Sequence, residues 1–146
     1  MGAALEGQKG GLLSVMAANN ETGVRQPLQA ITELCHQHGV AVHSDMVQLA
    51  GKYRVCLAEF DLDFATISAH KIGGPAGVGV LWRKAGRHLP AIIRGGGQEK
   101  GMRSGTENVI GIIGFGAAAD AAAAAARAEP GPARGGGAGP RVAGGG

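Results

Sequence analysis

The sequence predicts an α/β domain with a mostly parallel sheet, on three observations. Short apolar runs bounded by Gly, Asn or Asp recur from residue 12 onward, and an amphipathic stretch of helical period separates the first two of them. The 146 residues, 45 % hydrophobic and 17 % charged, suffice for one small domain with a modest core. Strands that alternate with helices imply parallel pairing through crossover connections.

Residues 1–10 are polar and Gly-rich and read as a flexible leader. Leu12 to Ala17 reads as a buried strand entering a loop at Asn19-Asn20. Pro27 suits a first helical turn, Leu28, Ile31, Leu34 and Cys35 share a helical face, and Gly39 is placed to end the helix. Val40 to His43 reads as the next strand, followed by a short mixed segment from Met46, a strand over Phe64 to Ser68 and another over Gly77 to Trp82. The partial domain is expected to occupy 11–120, with a helix from Val109 that an alanine run can prolong. Residues 121–146 differ in kind: they hold 10 Ala, 8 Gly, 3 Pro and 3 Arg, beside Glu129 and Val142. Such a composition cannot build a core and is expected to be disordered. It is what a GC-rich stretch read outside a gene's proper frame would yield, and an aberrant end is the expectation here.

Composition excludes several functions. A net charge of +3 with no basic run longer than a dipeptide points to neither nucleic acid nor an anionic membrane. Cys35 and Cys56 have no CxxC spacing and no second pair, so no metal site is expected and a reducing, intracellular setting fits. Both read as small packing residues. With no basic n-region ahead of an apolar stretch, and no apolar stretch of the roughly 18 residues that a membrane helix needs, the expected location is the cytoplasm. The 28 glycines against 3 % aromatic residues predict a thin core and many tight turns.

The chemistry-bearing residues lie between Asn20 and Thr106. In SAHKIGGPAGVG, Ser68 to Gly79, a lysine follows a strand end and precedes a glycine-rich loop. Ligands of open parallel sheets bind outside the carboxyl ends of strands, so Lys71 is placed to meet one, although a solvated lysine would sit there equally well. Asp45, in HSDMVQ, also follows a strand. A carboxylate beside a pyridine nitrogen keeps that nitrogen protonated, which an electron sink requires, whereas an ordinary helix N-cap is the plainer use of such an Asp.

Four segments in order carry a resemblance: ANNETGV (Ala18 to Val24), HSDMVQLAGK (His43 to Lys52), SAHKIGGPAGVGVLW (Ser68 to Trp82) and RGGGQEKGMRSGTEN (Arg94 to Asn108). Together they resemble the pyridoxal-phosphate-dependent cysteine desulfurases of the aminotransferase class V group, whose close relatives include the selenocysteine lyases. The resemblance covers roughly Leu12 to Asp120 and implies the central part of a fold type I large domain.

What the resemblance implies is position-specific. Lys71 matches the lysine that holds pyridoxal 5'-phosphate, Asp45 the partner of the pyridine nitrogen, and Gln48 the donor to the phenolic oxygen. Asn20 matches a residue near that oxygen and the substrate carboxylate, although an Asn-Asn pair also serves turns. Ser68 and His70 match phosphate ligands, for which a hydroxyl and an imidazole are good donors. Thr106, in RSGT, matches the threonine that reaches the phosphate of the partner subunit's cofactor, which implies a homodimer. The implied reaction takes sulfur from L-cysteine, leaving L-alanine and a persulfide for a sulfur-acceptor protein in iron–sulfur or thio-modification chemistry. A selenocysteine lyase, another class V lyase or transaminase, and a cofactor-binding module without turnover are the alternatives.

The chain departs from this pattern in three places. The family's nucleophilic cysteine belongs to a loop downstream of RSGT, and neither Cys35 nor Cys56 matches it. No counterpart is seen for the Gly-Thr phosphate loop and ring-stacking histidine expected ahead of Leu12, or for the arginine that clamps the substrate carboxylate. Little or no turnover is therefore expected, with marginal stability and a tendency to aggregate through unpaired sheet edges. GGGQE at Gly95 to Glu99 lacks the Lys-Ser/Thr of a P-loop and reads as a connection, and Asp61 and Asp63 read as a strand-edge turn.

Overall fold

A computed structural model describes residues 5–7 and 9–128. Four five-residue strands form one sheet in sequence order: β1 (Leu12–Met16), β2 (Ala41–Asp45), β3 (Phe64–Ser68) and β4 (Gly79–Arg83). The first two pairings are parallel, as expected, and β3 pairs with β4 antiparallel. That departure has a simple cause. A parallel return needs a crossover of a dozen or more residues, and the link between β3 and β4 is a single 3₁₀ turn (Ala69–Ile72) and a glycine loop.

Helix α1 (Leu28–Gln37) crosses from β1 to β2. It starts after Pro27 and ends where Gly39 takes φ +68°, a left-handed value that costs glycine nothing. Leu28, Ile31 and Cys35 project from one face into the core formed with Val42, Met46, Leu62 and Ala65, and Leu13 and Val15 pack against it. The buried Thr32 hydroxyl reaches the Phe60 carbonyl at 2.8 Å and ties α1 to the 3₁₀ turn Leu57–Phe60. Leu5 joins the same core, while the rest of the expected tail beyond Ala128 lies outside the described residues.

Helix α2 (Val109–Ala128) is 20 residues long with a hydropathy of 1.8, enough by length and composition to cross a membrane, contrary to the sequence expectation. Val109, the three isoleucines and Phe115 of its first two turns contribute most of that value, and the alanine run extends it. The helix leans on the domain through small residues: a Cβ on Gly114 would come within 3.1 Å of Pro75, and one on Gly74 within 3.2 Å of the Ala118 methyl.

A network of charges pins the starts of the strands. Asp63 is fully buried, and its carboxylate accepts from the Val42 amide at 2.6 Å and from Arg87 Nε at 2.6 Å, and lies 3.0 Å from His36 Nε2. Burial alone pushes the carboxyl up, but the Val42 amide, His36 and Arg87 together outweigh it and hold it below the usual carboxylate value. Asp61, left-handed at φ 50°, meets Lys84 at 2.5 Å and His36 Nδ1 at 3.3 Å, and its carboxyl is lowered mainly by the Lys84 hydrogen bond. The two acids expected to form a strand-edge turn thus also join α1, β2, β3 and the segment after β4.

Asp63→Asn leaves Arg87 and His36 without their buried counter-charge. A loss of about 3 kcal/mol in urea unfolding is expected, the usual scale for breaking a buried pair. Because the folded carboxyl is held low, its stabilisation is complete above the unfolded carboxylate value and fades as pH falls through the folded one. The variant's stability should therefore fall less steeply than the wild type's in acid. Ser44 Oγ, buried between β1 and β3, has no hydrogen-bond partner among the described residues. Replacing it with Ala removes an unsatisfied polar atom, so Ser44→Ala should unfold at higher urea, by roughly 1 kcal/mol.

Candidate active site

The parallel register brings three strand ends to one level. Met16, Asp45 and Thr66 are successive partners across β1, β2 and β3, and the ladder runs on past them: the Ala17 amide donates to the Asp45 carbonyl at 2.8 Å and the Met46 amide to the Thr66 carbonyl at 2.9 Å. The segments that leave this edge carry Asn20 after β1, Asp45 to Gln48 after β2, and Ser68 to Lys71 after β3. Six of the seven residues singled out from sequence therefore stand at the carboxyl edge of adjacent strands, where open α/β sheets take ligands.

Each segment is shaped locally. Asn19 makes the turn: its Oδ1 accepts from the amides of Glu21 and Thr22, both at 2.9 Å. Asn20 is left out of that turn and its amide donates to Glu21 Oε1, which separates the two roles that the Asn-Asn pair left open. Asp45 caps no helix. Its Oδ1 accepts the Val47 amide at 2.9 Å, and Oδ2 is bonded by no group among the described residues. Gln48 Oε1 is taken by Lys52 Nζ, which leaves the Gln48 amide nitrogen free to donate. Arg25 lies 4.9 Å over the Tyr53 ring and bridges the segments that follow β1 and β2.

Lys71 lies in the 3₁₀ turn Ala69–Ile72, is exposed, and has no hydrogen bond or ion pair among the described residues. Gly73 closes the turn at φ +86°, and its amide and that of Gly74 both reach the Ala69 carbonyl. Ser68 Oγ and His70 Nδ1 are 2.8 Å apart. The edge thus offers an unpaired amine, a carboxylate with one open oxygen, an amide donor and a hydroxyl–imidazole pair, a donor set suited to an anionic ligand that carries a carbonyl and a basic nitrogen.

Thr106 is the exception. It lies beyond the 3₁₀ turn Gln98–Gly101 and makes no hydrogen bond to the other six. Glu99 and Lys100 in that turn both have left-handed φ, 49° and 58°. The segment is held by Ser104, whose amide reaches the Ile93 carbonyl and whose hydroxyl reaches that of Gly96 at 2.7 Å. A concavity of about 750 Å³ adjoins this segment, lined by Val80, Leu81, Ile92, Met102 and Ile112. None of the seven residues lines it, and the polar groups that do, Arg83, Arg103, Glu107 and Asn108 among them, are not those of the strand ends.

Neither cysteine serves the edge. Cys35 is buried against α1's neighbours, and burial pushes its thiol up, away from the reactive thiolate. Cys56 is exposed, which corrects the packing role expected for it, and it precedes the turn that leads to the start of β3, one strand length from the candidate residues. The sequence reasoning missed Ser14, His43 and Thr66, which are hydrogen-bonded across three strands on the face that carries Asp45. Only the alternation of side chains along the strands could have pointed to them.

The fold and this edge define an open α/β domain with a lysine at a strand end, and comparison with known families agrees. The aminotransferase class-V profile matches residues 3–129, so the chain belongs to that family. Among curated relatives, it is 47 % identical over 109 residues to a cysteine desulfurase of Cereibacter sphaeroides and 51 % identical over 111 residues to the cysteine desulfurase IscS of Rickettsia felis. Each match takes in 75 % of this chain but only 28 % and 27 % of the relative, so the chain spans just over a quarter of their length. The solved structure of a NifS-like protein from Rickettsia africae superposes with a TM-score of 0.82 at 39 % identity, over 86 % of this chain and 35 % of that one.

The close seat of the lysine turn gives a test. A Cβ on Gly74 would stand 3.0 Å from both the methyl and the carbonyl oxygen of Ala69 and 3.2 Å from Ala118. Gly74→Ala should cost about 1–3 kcal/mol in urea unfolding, the range for overpacking, and should speed hydrogen exchange at the Gly73 and Gly74 amides.

Proposed function

We propose that the carboxyl edge of β1, β2 and β3 binds pyridoxal 5'-phosphate and that the chain carries the cofactor-holding centre of a cysteine desulfurase, which takes sulfur from L-cysteine and leaves L-alanine. The observation that carries this reading is the convergence of Lys71, with its unpaired amine, and Asp45, with its open oxygen, at the ends of neighbouring strands. When bound, the cofactor supplies an electron sink for the substrate's α-carbon.

The residues divide the work by chemistry. Lys71 provides the amine that anchors the cofactor. Asp45 Oδ2 would accept a hydrogen bond from the protonated ring nitrogen and keep it protonated, while the Val47 amide holds the other oxygen. The Gln48 amide, its carbonyl turned to Lys52, donates to the phenolic oxygen. Ser68 and His70, already hydrogen-bonded to each other, present a hydroxyl and an imidazole to the phosphate. Asn20, whose amide donates to Glu21, has a second amide hydrogen for the phenolic oxygen or the substrate carboxylate. Thr106 lies apart from these six because it serves the cofactor of a second copy, in a homodimer. The enzyme works in the cytoplasm and passes the sulfur, as a persulfide, to an acceptor protein.

With Cys35 buried and Cys56 at the far approach to β3, the 146 residues by themselves hold the cofactor without supplying the sulfur-accepting thiol. Anchoring can be read directly. The chain is incubated with pyridoxal phosphate, reduced with borohydride and digested, and mass spectrometry should find the pyridoxyl group on the peptide that holds Lys71. Lys71→Ala should abolish that adduct and the accompanying visible absorption. A label spread over Lys52, Lys84 and Lys100, unchanged in Lys71→Ala, would refute the reading.

A further inference from the structure

The sheet face that carries Asp45 also carries a chain of side-chain hydrogen bonds to which the roles above give no part. Ser14 Oγ lies 2.7 Å from His43 Nδ1, and Nε2 of the same ring lies 3.1 Å from Thr66 Oγ1. Ser14 and His43 are register partners across β1 and β2, and Thr66 is the partner of Asp45 across β2 and β3. Residues two apart on a strand share a face, so His43 and Asp45 project to the same side, and Thr66 stands next to Asp45 on it with no hydrogen bond between their side chains among the described residues. No other titratable side chain stands on β1 or β3, and Arg83 of β4 sits opposite Phe64, at the other end of its strand. The other charged or titratable groups near the edge lie off the strands: Glu21 and Arg25 after β1, Lys52 after β2, and His70 and Lys71 after β3.

A neutral imidazole has one donor and one acceptor, which gives the chain a polarity. If Ser14 donates to Nδ1, then Nε2–H donates to Thr66, and the Thr66 hydroxyl hydrogen is free for the carboxylate beside it. With the opposite tautomer, Thr66 donates to the ring and has nothing left for Asp45. A protonated ring donates at both nitrogens, frees the Thr66 hydrogen and adds a positive charge on the same face. The state of His43 thus decides whether Thr66 has a hydrogen to offer its neighbour Asp45 and how much positive charge stands on that face.

We propose that His43 is a positioning residue for Asp45: through Thr66, and held in orientation by Ser14, it sets the hydrogen bonding and charge around the carboxylate that holds the ring nitrogen's proton. The link to the ring nitrogen rests on the cofactor reading above, and the coupling of His43 to Asp45 does not.

The test therefore begins without cofactor. In the full chain labelled with ¹³C and ¹⁵N, the ring nitrogens of His43 should report one tautomer, and the Asp45 carboxyl resonance should shift in Thr66→Val and in His43→Gln, while that of Asp61 stays in place. Thr66→Ser, which keeps the hydroxyl, should return the Asp45 resonance to its wild-type position. A merely structural role for Thr66 would not give that rescue. An Asp45 carboxyl resonance unmoved in His43→Gln overturns the proposal. So does one that moves equally in Thr66→Val and Thr66→Ser. The borohydride adduct at Lys71, measured on the same samples, judges the other reading separately: a shift in Asp45 without any adduct sustains the coupling and rejects the cofactor, and an adduct without the shift does the reverse.

Discussion

The carboxylate of Asp63 settles where the strands begin, and strands of five residues each then settle where they end. It is buried among three donors that come from α1, from the second residue of β2 and from the segment after β4. With β2 and β3 held in this relation, Asp45 comes level with Thr66, and the turn that carries Lys71 leaves the sheet one residue pair further on. A slip of one residue would carry Asp45 to the core face and Ser44 to the open one, since side chains alternate along a strand. The geometry of the candidate site is thus determined at the opposite edge of the sheet, by charges that never meet a ligand.

Much of this was legible in sequence because it is local. β3 runs over the residues that its apolar pattern marked, and α1 lies between the proline and the glycine that were read as its ends. The three segments that bear Asn20, Asp45 and Lys71 were placed correctly because each follows a strand directly. What sequence could not show is long-range. Arg87 meets Asp63 across 24 residues and Ser14 meets His43 across 29, and nothing in the flanking residues announces either contact. The reversal of β4 follows from a short link whose length could have been counted. The exposure of Cys56 depends on the path from β2 to β3, which lacks regular structure until the turn at Leu57.

The helix α2 shows the same division between composition and packing. Its isoleucines, Val109 and Phe115, with the alanines, give it the hydropathy of a membrane segment, yet the residues that approach the rest of the domain, Gly114, Ala118 and Ala122, do so because they are small. Small side chains let the helix lie close against Gly51, Gly74 and Pro75, beside the turn that carries Lys71. The family match over residues 3–129 takes in the whole of this helix.

The left-handed pair Glu99 and Lys100 has a consequence for the segment that carries Thr106. Each such residue without a glycine's freedom costs roughly 1 kcal/mol, so the backbone here is cocked like a spring and latched by the two hydrogen bonds of Ser104. The segment between Gly96 and Thr106 therefore owes its shape to Ser104 as much as to its own torsional preferences, so position 104 tolerates little besides a small hydroxyl-bearing side chain.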